Sequence, residues 1–132
     1  MPFDHQRLDV YRAAIELIAG ADALVADLPR GRSYLCDQLR RAATSVPLNI
    51  AEGAGEYSRG DKARFYRIAP RSATECAALL DVMRALQLVE VTGYEHGIDL
   101  LHRIVAMLTR MAKRLAEAGT GPGPGPEAWG AP

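Results

Sequence analysis

Four stretches of this chain repeat apolar residues at helical spacing, and no stretch of useful length alternates with period two. Such a pattern leaves helix-on-helix packing as the way to bury the apolar faces. The first stretch, from about Asp4 to Asp27, sets Leu8, Tyr11, Ile15, Ile18 and Val25 on one stripe, with Ala14, Leu17, Ala21, Leu24 and Leu28 beside it. Pro29, Arg30, Gly31 and Arg32 stop it, because proline cannot continue a helix and glycine tolerates the turn. Ser33 is placed to cap a second helix, in which Leu35, Leu39, Ala42, Val46 and Ile50 step by four, three, four and four. Pro47 lies inside that helix and predicts a kink or an early end.

Gly53 and Gly55 close the second helix, and Ser58 or Asp61 is placed to cap a third, predicted from about Asp61 to Val91. Its inward residues are expected to be Phe65, Ile68, Ala69, Ser72, Cys76, Leu79, Leu80, Met83 and Leu86. Pro70 interrupts the pattern at its middle, yet the stripe keeps its phase on both sides, which favours one kinked helix over two. Thr92 and Gly93 make the last predicted connection. A fourth helix then runs from about Tyr94 to Ala118, with Tyr94, Ile98, Leu101, Val105, Leu108, Ala112 and Leu115 in heptad register and Ile104 and Met111 flanking.

The expected fold is therefore all-α, an antiparallel up-down-up-down four-helix bundle over residues 1–118, followed by a tail over 119–132. Nine of the fourteen tail residues are Gly or Pro, so it is expected to be disordered, with Trp129 as a candidate docking anchor. A chain of 132 residues, 48% hydrophobic, suits one domain with one core. The apolar faces of the first and fourth helices are wider than one intramolecular seam needs, which predicts a homo-oligomer. No apolar run approaches the roughly 20 residues that span a bilayer, and the opening MPFDHQRLD has neither the cationic start nor the apolar run of a leader peptide, which predicts a cytoplasmic location.

Net charge is zero, yet it is unevenly spread: from Arg30 to Arg71 nine basic residues face four acidic ones. Fourteen of the sixteen basic residues are Arg, whose planar fork suits carboxylate and phosphate.

The run from Arg40 to Gly55, RRAATSVPLNIAEGAG, closely resembles the signature of the bacterial four helix bundle protein family. That family is also called the 23S rRNA intervening-sequence protein family, and it includes the accessory variability determinant of diversity-generating retroelements. Leu8, Asp9, Val10 and Tyr11 extend the likeness, as do Phe65 to Ala69, Ser72 and Glu75, over roughly residues 5–116. The resemblance implies a left-handed antiparallel bundle that associates as a homopentameric ring, with no catalytic residue. It also implies RNA or a reverse-transcriptase-like protein as partner. Pro70 and Arg71 depart from the family pattern, which usually has a helix-compatible residue followed by Gly at this point.

Arg64, Arg67 and Arg71, spaced three and four apart, form one cationic stripe, and Arg40 and Arg41 flank the inward face of the second helix. If these helices are neighbours, five guanidinium groups share a surface able to take phosphates. The plainer reading is a solvated face, or salt bridges to Glu52, Glu56 and Asp61 of a neighbouring subunit. In the signature, Pro47, Asn49, Glu52, Gly53 and Gly55 read best as structural. Asn49 is placed to bond backbone freed by Pro47, Glu52 to pair with Arg40, Arg41 or a neighbouring chain, and Gly53 to supply a positive-φ helix end.

A di-iron site would need Glu-x-x-His on two helices, and the nearest approach is Asp99 to His102, so no metal and no cofactor are expected. Cys36 and Cys76 fall on or beside apolar stripes as small hydrophobes. No acid-base pair or nucleophile constellation can be assembled, so neither an enzyme nor a small-molecule substrate is expected. Two functions remain open: an oligomeric bundle that binds RNA or an RNA-associated protein through its arginines, and an oligomeric protein-interaction adaptor without a nucleic-acid role.

Overall fold

The structure is a computed structural model that describes residues 1–120. It holds α1 (Asp9–Ala26), α2 (Ser33–Ala54), α3 (Arg59–Ala85) and α4 (Val91–Thr120), with a 3-10 turn at Asp4–Arg7 ahead of α1. Each helix packs against its neighbours in sequence, α4 closes back on α1, and the diagonal pairs do not pack. With connections of four to six residues between helices, this is the up-down-up-down antiparallel bundle. Cross-helix contacts give the register: Asp22 meets Arg40, Ser45 meets Ser72, Asp81 meets Tyr94, and Glu16 meets His96. The tail beyond Thr120, Trp129 included, lies outside the described residues.

The core is one cluster fed by all four helices. Leu35, Leu39, Ala42, Val46 and Ile50 of α2 are buried as their spacing predicts. Two other helices are turned from the expected phase. In α1 the buried residues are Val10, Ala13, Ala14, Leu17, Ala21 and Val25, while Ile15 is exposed. In α3, Ala63, Tyr66, Ala69 and Ala73 point inward, Phe65, Ile68 and Ser72 sit half-buried at the edge, and Leu86 is exposed. Broad apolar faces fix only an approximate direction; the small residues win the centre because they let neighbouring helices approach.

Several ends also differ from expectation. The segment before α1 is not α-helical throughout, because Leu8 is extended and its carbonyl accepts the first bonds of α1 from Tyr11 and Arg12. Arg32 rather than Ser33 is the residue before α2. Ser58 is the cap of α3, accepting from the Asp61 amide at 3.0 Å. Pro47 does not end α2, and α3 passes Pro70 as one helix. An interior proline costs roughly 3 kcal/mol. Burying Val46 and Ile50 completely, at roughly 1.5–3 kcal/mol each, is enough to carry α2 past Pro47.

The largest boundary correction is the last connection. Thr92 and Gly93 lie inside α4, and the chain turns instead over residues 86–90. Gln87 takes φ 58°, the Leu88 amide reaches back to the Met83 carbonyl at 2.8 Å, and the Gln87 amide to the Arg84 carbonyl at 3.0 Å. These are the paired bonds of a Schellman motif with glutamine where glycine is usual. Leu88 packs on the core and Val89 is buried, which holds the turn against the left-handed strain. Gln87→Gly is expected to stabilise the bundle by about 0.5–1 kcal/mol, read as a higher urea midpoint at unchanged m.

Exposed large apolar side chains are distributed differently from the sequence expectation. Ile15 of α1, Tyr34 and Leu48 of α2, and Val82 of α3 are exposed, whereas α4 shows only Val91, its first residue. The surplus apolar surface therefore lies on α1 to α3, because the half-buried Ile98, Val105, Met107 and Met111 of α4 are drawn onto the core.

Candidate nucleic-acid interface

α2 and α3 run side by side, tied by a polar seam that the sequence did not announce. Ser45 Oγ and Ser72 Oγ lie 2.8 Å apart. Asn49 Nδ2 donates to the Ser45 carbonyl at 2.8 Å and to Ser45 Oγ at 2.9 Å. The expected partner of Asn49 was the carbonyl freed by Pro47, which belongs to Ala43; Asn49 instead orients the serine that reaches α3. The only signal for this seam was serine at both positions on the sides of helices that turn out to be adjacent.

Arg64, Arg67 and Arg71 are exposed along the outer face of α3, over a rise of roughly 10 Å. The Arg64 guanidinium carbon stands 5.0 Å from the centre of the Phe65 ring, which holds it against the helix. Arg71 directly precedes Ser72, and Arg41 lies one turn before Ser45, so the two flank the seam from either helix. Arg40 belongs apart: it leans toward α1, with Nε 3.9 Å from Asp22 Oδ1. Arg40 and Arg41 also border a shallow groove along α2 with Thr44, Leu48 and Asn49.

Among the described residues, Arg41, Arg64, Arg67 and Arg71 form no ion pair with a carboxylate. Glu52 is exposed and does not pair with Arg40 or Arg41. Lys62, counted above with the basic excess, is taken up structurally: its Nζ donates to the Ala54 carbonyl at 2.9 Å and the Gly53 carbonyl at 3.4 Å, capping the end of α2 from α3.

Gly53 is helical and not at positive φ, so its expected role as a left-handed helix end is replaced by another. A Cβ there would stand 2.6 Å from Tyr66 Cε1, 2.9 Å from Tyr66 Cδ1 and 3.1 Å from Phe65 Cβ. Glycine is thus the residue that lets α2 and α3 close on each other. Gly55, also at negative φ, follows α2 as its cap residue.

The described residues hold no group of three or more His, Cys, Asp or Glu able to bind a metal, and no helix long and apolar enough to cross a membrane. Cys76 is fully buried, and its thiol is pushed up to about 12, first by burial and second by the Glu75 carboxylate beside it. Cys36 is half-buried, with Sγ 3.8 Å from the Val25 carbonyl. A thiol reagent at about pH 8 should label Cys36 well before Cys76, the second thiol appearing only on unfolding; equal labelling rates in the native protein would contradict this packing.

A closed antiparallel four-helix bundle with arginines exposed on two adjacent helices defines a small helical-bundle protein. A family profile described as 23S rRNA-intervening sequence protein matches residues 6–110, and the chain belongs to that family. Comparison with curated proteins gives no match.

Proposed function

We propose that this protein is a non-enzymatic, homo-oligomeric bundle that binds RNA, or a protein carrying RNA, through the arginines of α3 and the adjoining face of α2. The observation that carries this reading is the set of four exposed arginines, Arg41, Arg64, Arg67 and Arg71, left without a carboxylate partner among the described residues. Guanidinium groups in that position position a phosphate backbone without reading bases, so the binding is nonspecific in sequence and steep in salt. Assembly is supported by the exposed Ile15 and Leu48, which the Asp22 and Arg40 contact places at one level of the bundle. The family likeness favours five subunits.

Size-exclusion chromatography with light scattering, at low and high salt and with and without RNA, tests the reading. Five subunits of 14.3 kDa give about 70 kDa, and the complex should grow with RNA at low salt only. A stable monomer, or a ring indifferent to RNA, contradicts it. The second outcome would favour a protein-interaction adaptor, which the exposed Leu48 inside the arginine-bordered groove also suits.

A further inference from the structure

α1 and α4 meet less fully than the other neighbours, and a cleft of about 260 Å³ opens between them near the start of α4. Leu39, Leu80 and Leu100, all buried core residues, form its floor. Glycine keeps it open: a Cβ on Gly20 would meet nothing within 4 Å, while Gly97 leaves room for Leu80, whose Cδ1 would lie 2.9 Å from a Cβ there. The rim carries two carboxylates, Glu16 and Asp27, and one imidazole, His96, whose Nε2 is 3.8 Å from Glu16 Oε1. No lysine or arginine lines it.

We infer that this cleft binds a small amphiphilic amine, with its apolar body on the leucine floor and its cationic head against Asp27; Glu16, beside His96, stands eleven residues back along α1, roughly 16 Å away at the other end of the cleft. Size sets the body. An apolar cavity of roughly 150 Å³ takes one benzene ring, so this one has room for a bicyclic ring or a chain of similar bulk plus a head group. Charge sets the head, since the rim's fixed charges are both negative and the mouth is partly enclosed by low-dielectric walls. The site lies between α1 and α4, whereas the arginines of the proposed RNA surface stand on α2 and α3, so either can fail without the other.

Calorimetry and ligand-observed NMR on the full chain, with tryptamine, indole and indole-3-acetate as probes, test this. Tryptamine is expected to bind about tenfold more tightly than indole, and indole-3-acetate more weakly than either. Gly20→Leu, which fills open space on a helix that tolerates it, should weaken tryptamine at least about tenfold with helix content and molar mass unchanged. Asp27→Asn should erase the preference for tryptamine over indole, and Glu16→Gln should leave it in place. Three results would overturn the inference: no saturable tryptamine binding, tryptamine binding unaffected by Gly20→Leu, or a fall in molar mass with Gly20→Leu, which would give the cleft to a second copy of this chain.

Discussion

Gly53→Val is expected to destabilise the bundle by about 2–3 kcal/mol, and Gly53→Ala by about 1–2 kcal/mol. The new Cβ would enter the Tyr66 ring edge at 2.6 Å, and that ring is only 5% exposed, so it has little freedom to yield. Two effects oppose each other. Removing a glycine from the last turn of α2 gains at most about 1 kcal/mol of helix propensity, whereas overpacking a buried helix contact costs roughly 1–3 kcal/mol. The clash wins because its nearest atoms belong to a pinned aromatic ring rather than to the end of a mobile chain. Urea denaturation followed by circular dichroism reads the result. Two controls separate packing from propensity: Gly20→Ala, with open space around it, should stabilise by up to about 1 kcal/mol, and Tyr66→Leu should lower the additional cost of Gly53→Ala. A Gly53→Ala protein as stable as its parent would show that α2 and α3 do not need this close approach.

Replacing Arg64, Arg67 and Arg71 together by Gln is expected to weaken RNA retention by about 10- to 100-fold near 0.1 M salt. The slope of log affinity against log salt should fall by about 2, since each phosphate contact on a single strand contributes roughly 0.7. Folding should barely change, because the three side chains are exposed and none is in an ion pair among the described residues; only the Arg64 contact with Phe65, roughly 0.5–1 kcal/mol, is lost. Arg40→Gln, at a side chain already drawn toward Asp22, should have the smaller effect on RNA. Lys62→Gln should lower stability with RNA retention unchanged, since its ammonium group caps α2. RNA retention by the triple variant equal to that of the parent would remove the arginine stripe from the function.

Glycine at two positions shows how far the sequence could be read. Gly31 reads as a turn residue in the sequence and adopts φ 91°, because a single breaker after Pro29 leaves few alternatives. Gly53 reads as a left-handed helix end in the sequence, and in the structure it is helical without positive φ. Its requirement comes from a tyrosine on another helix, and no spacing within α2 contains that information. Gln87 inverts the case, a left-handed residue with no glycine to mark it, held there by the burial of Leu88 and Val89. Thr92 and Gly93 looked like the break because local propensity favours one there, yet the helix tolerates both once α4 packs.

The arginines divide in the same way. That Arg64, Arg67 and Arg71 share a face follows from the helical repeat alone. That Arg40 leaves the group, Lys62 is spent on a cap, and Ser45 meets Ser72 follows from which helices adjoin and at what height. The sequence by itself determined the all-α class, the number and order of the helices, the inward stripe of α2 and the cationic stripe of α3, because each is a periodicity within one segment. The tertiary structure decided the phase of α1 and α3, the place of the last turn, the close approach at Gly53 and the cleft between α1 and α4. Those features depend on distances between side chains far apart in sequence, and a helical repeat fixes a direction around its own axis but not the neighbour it will meet.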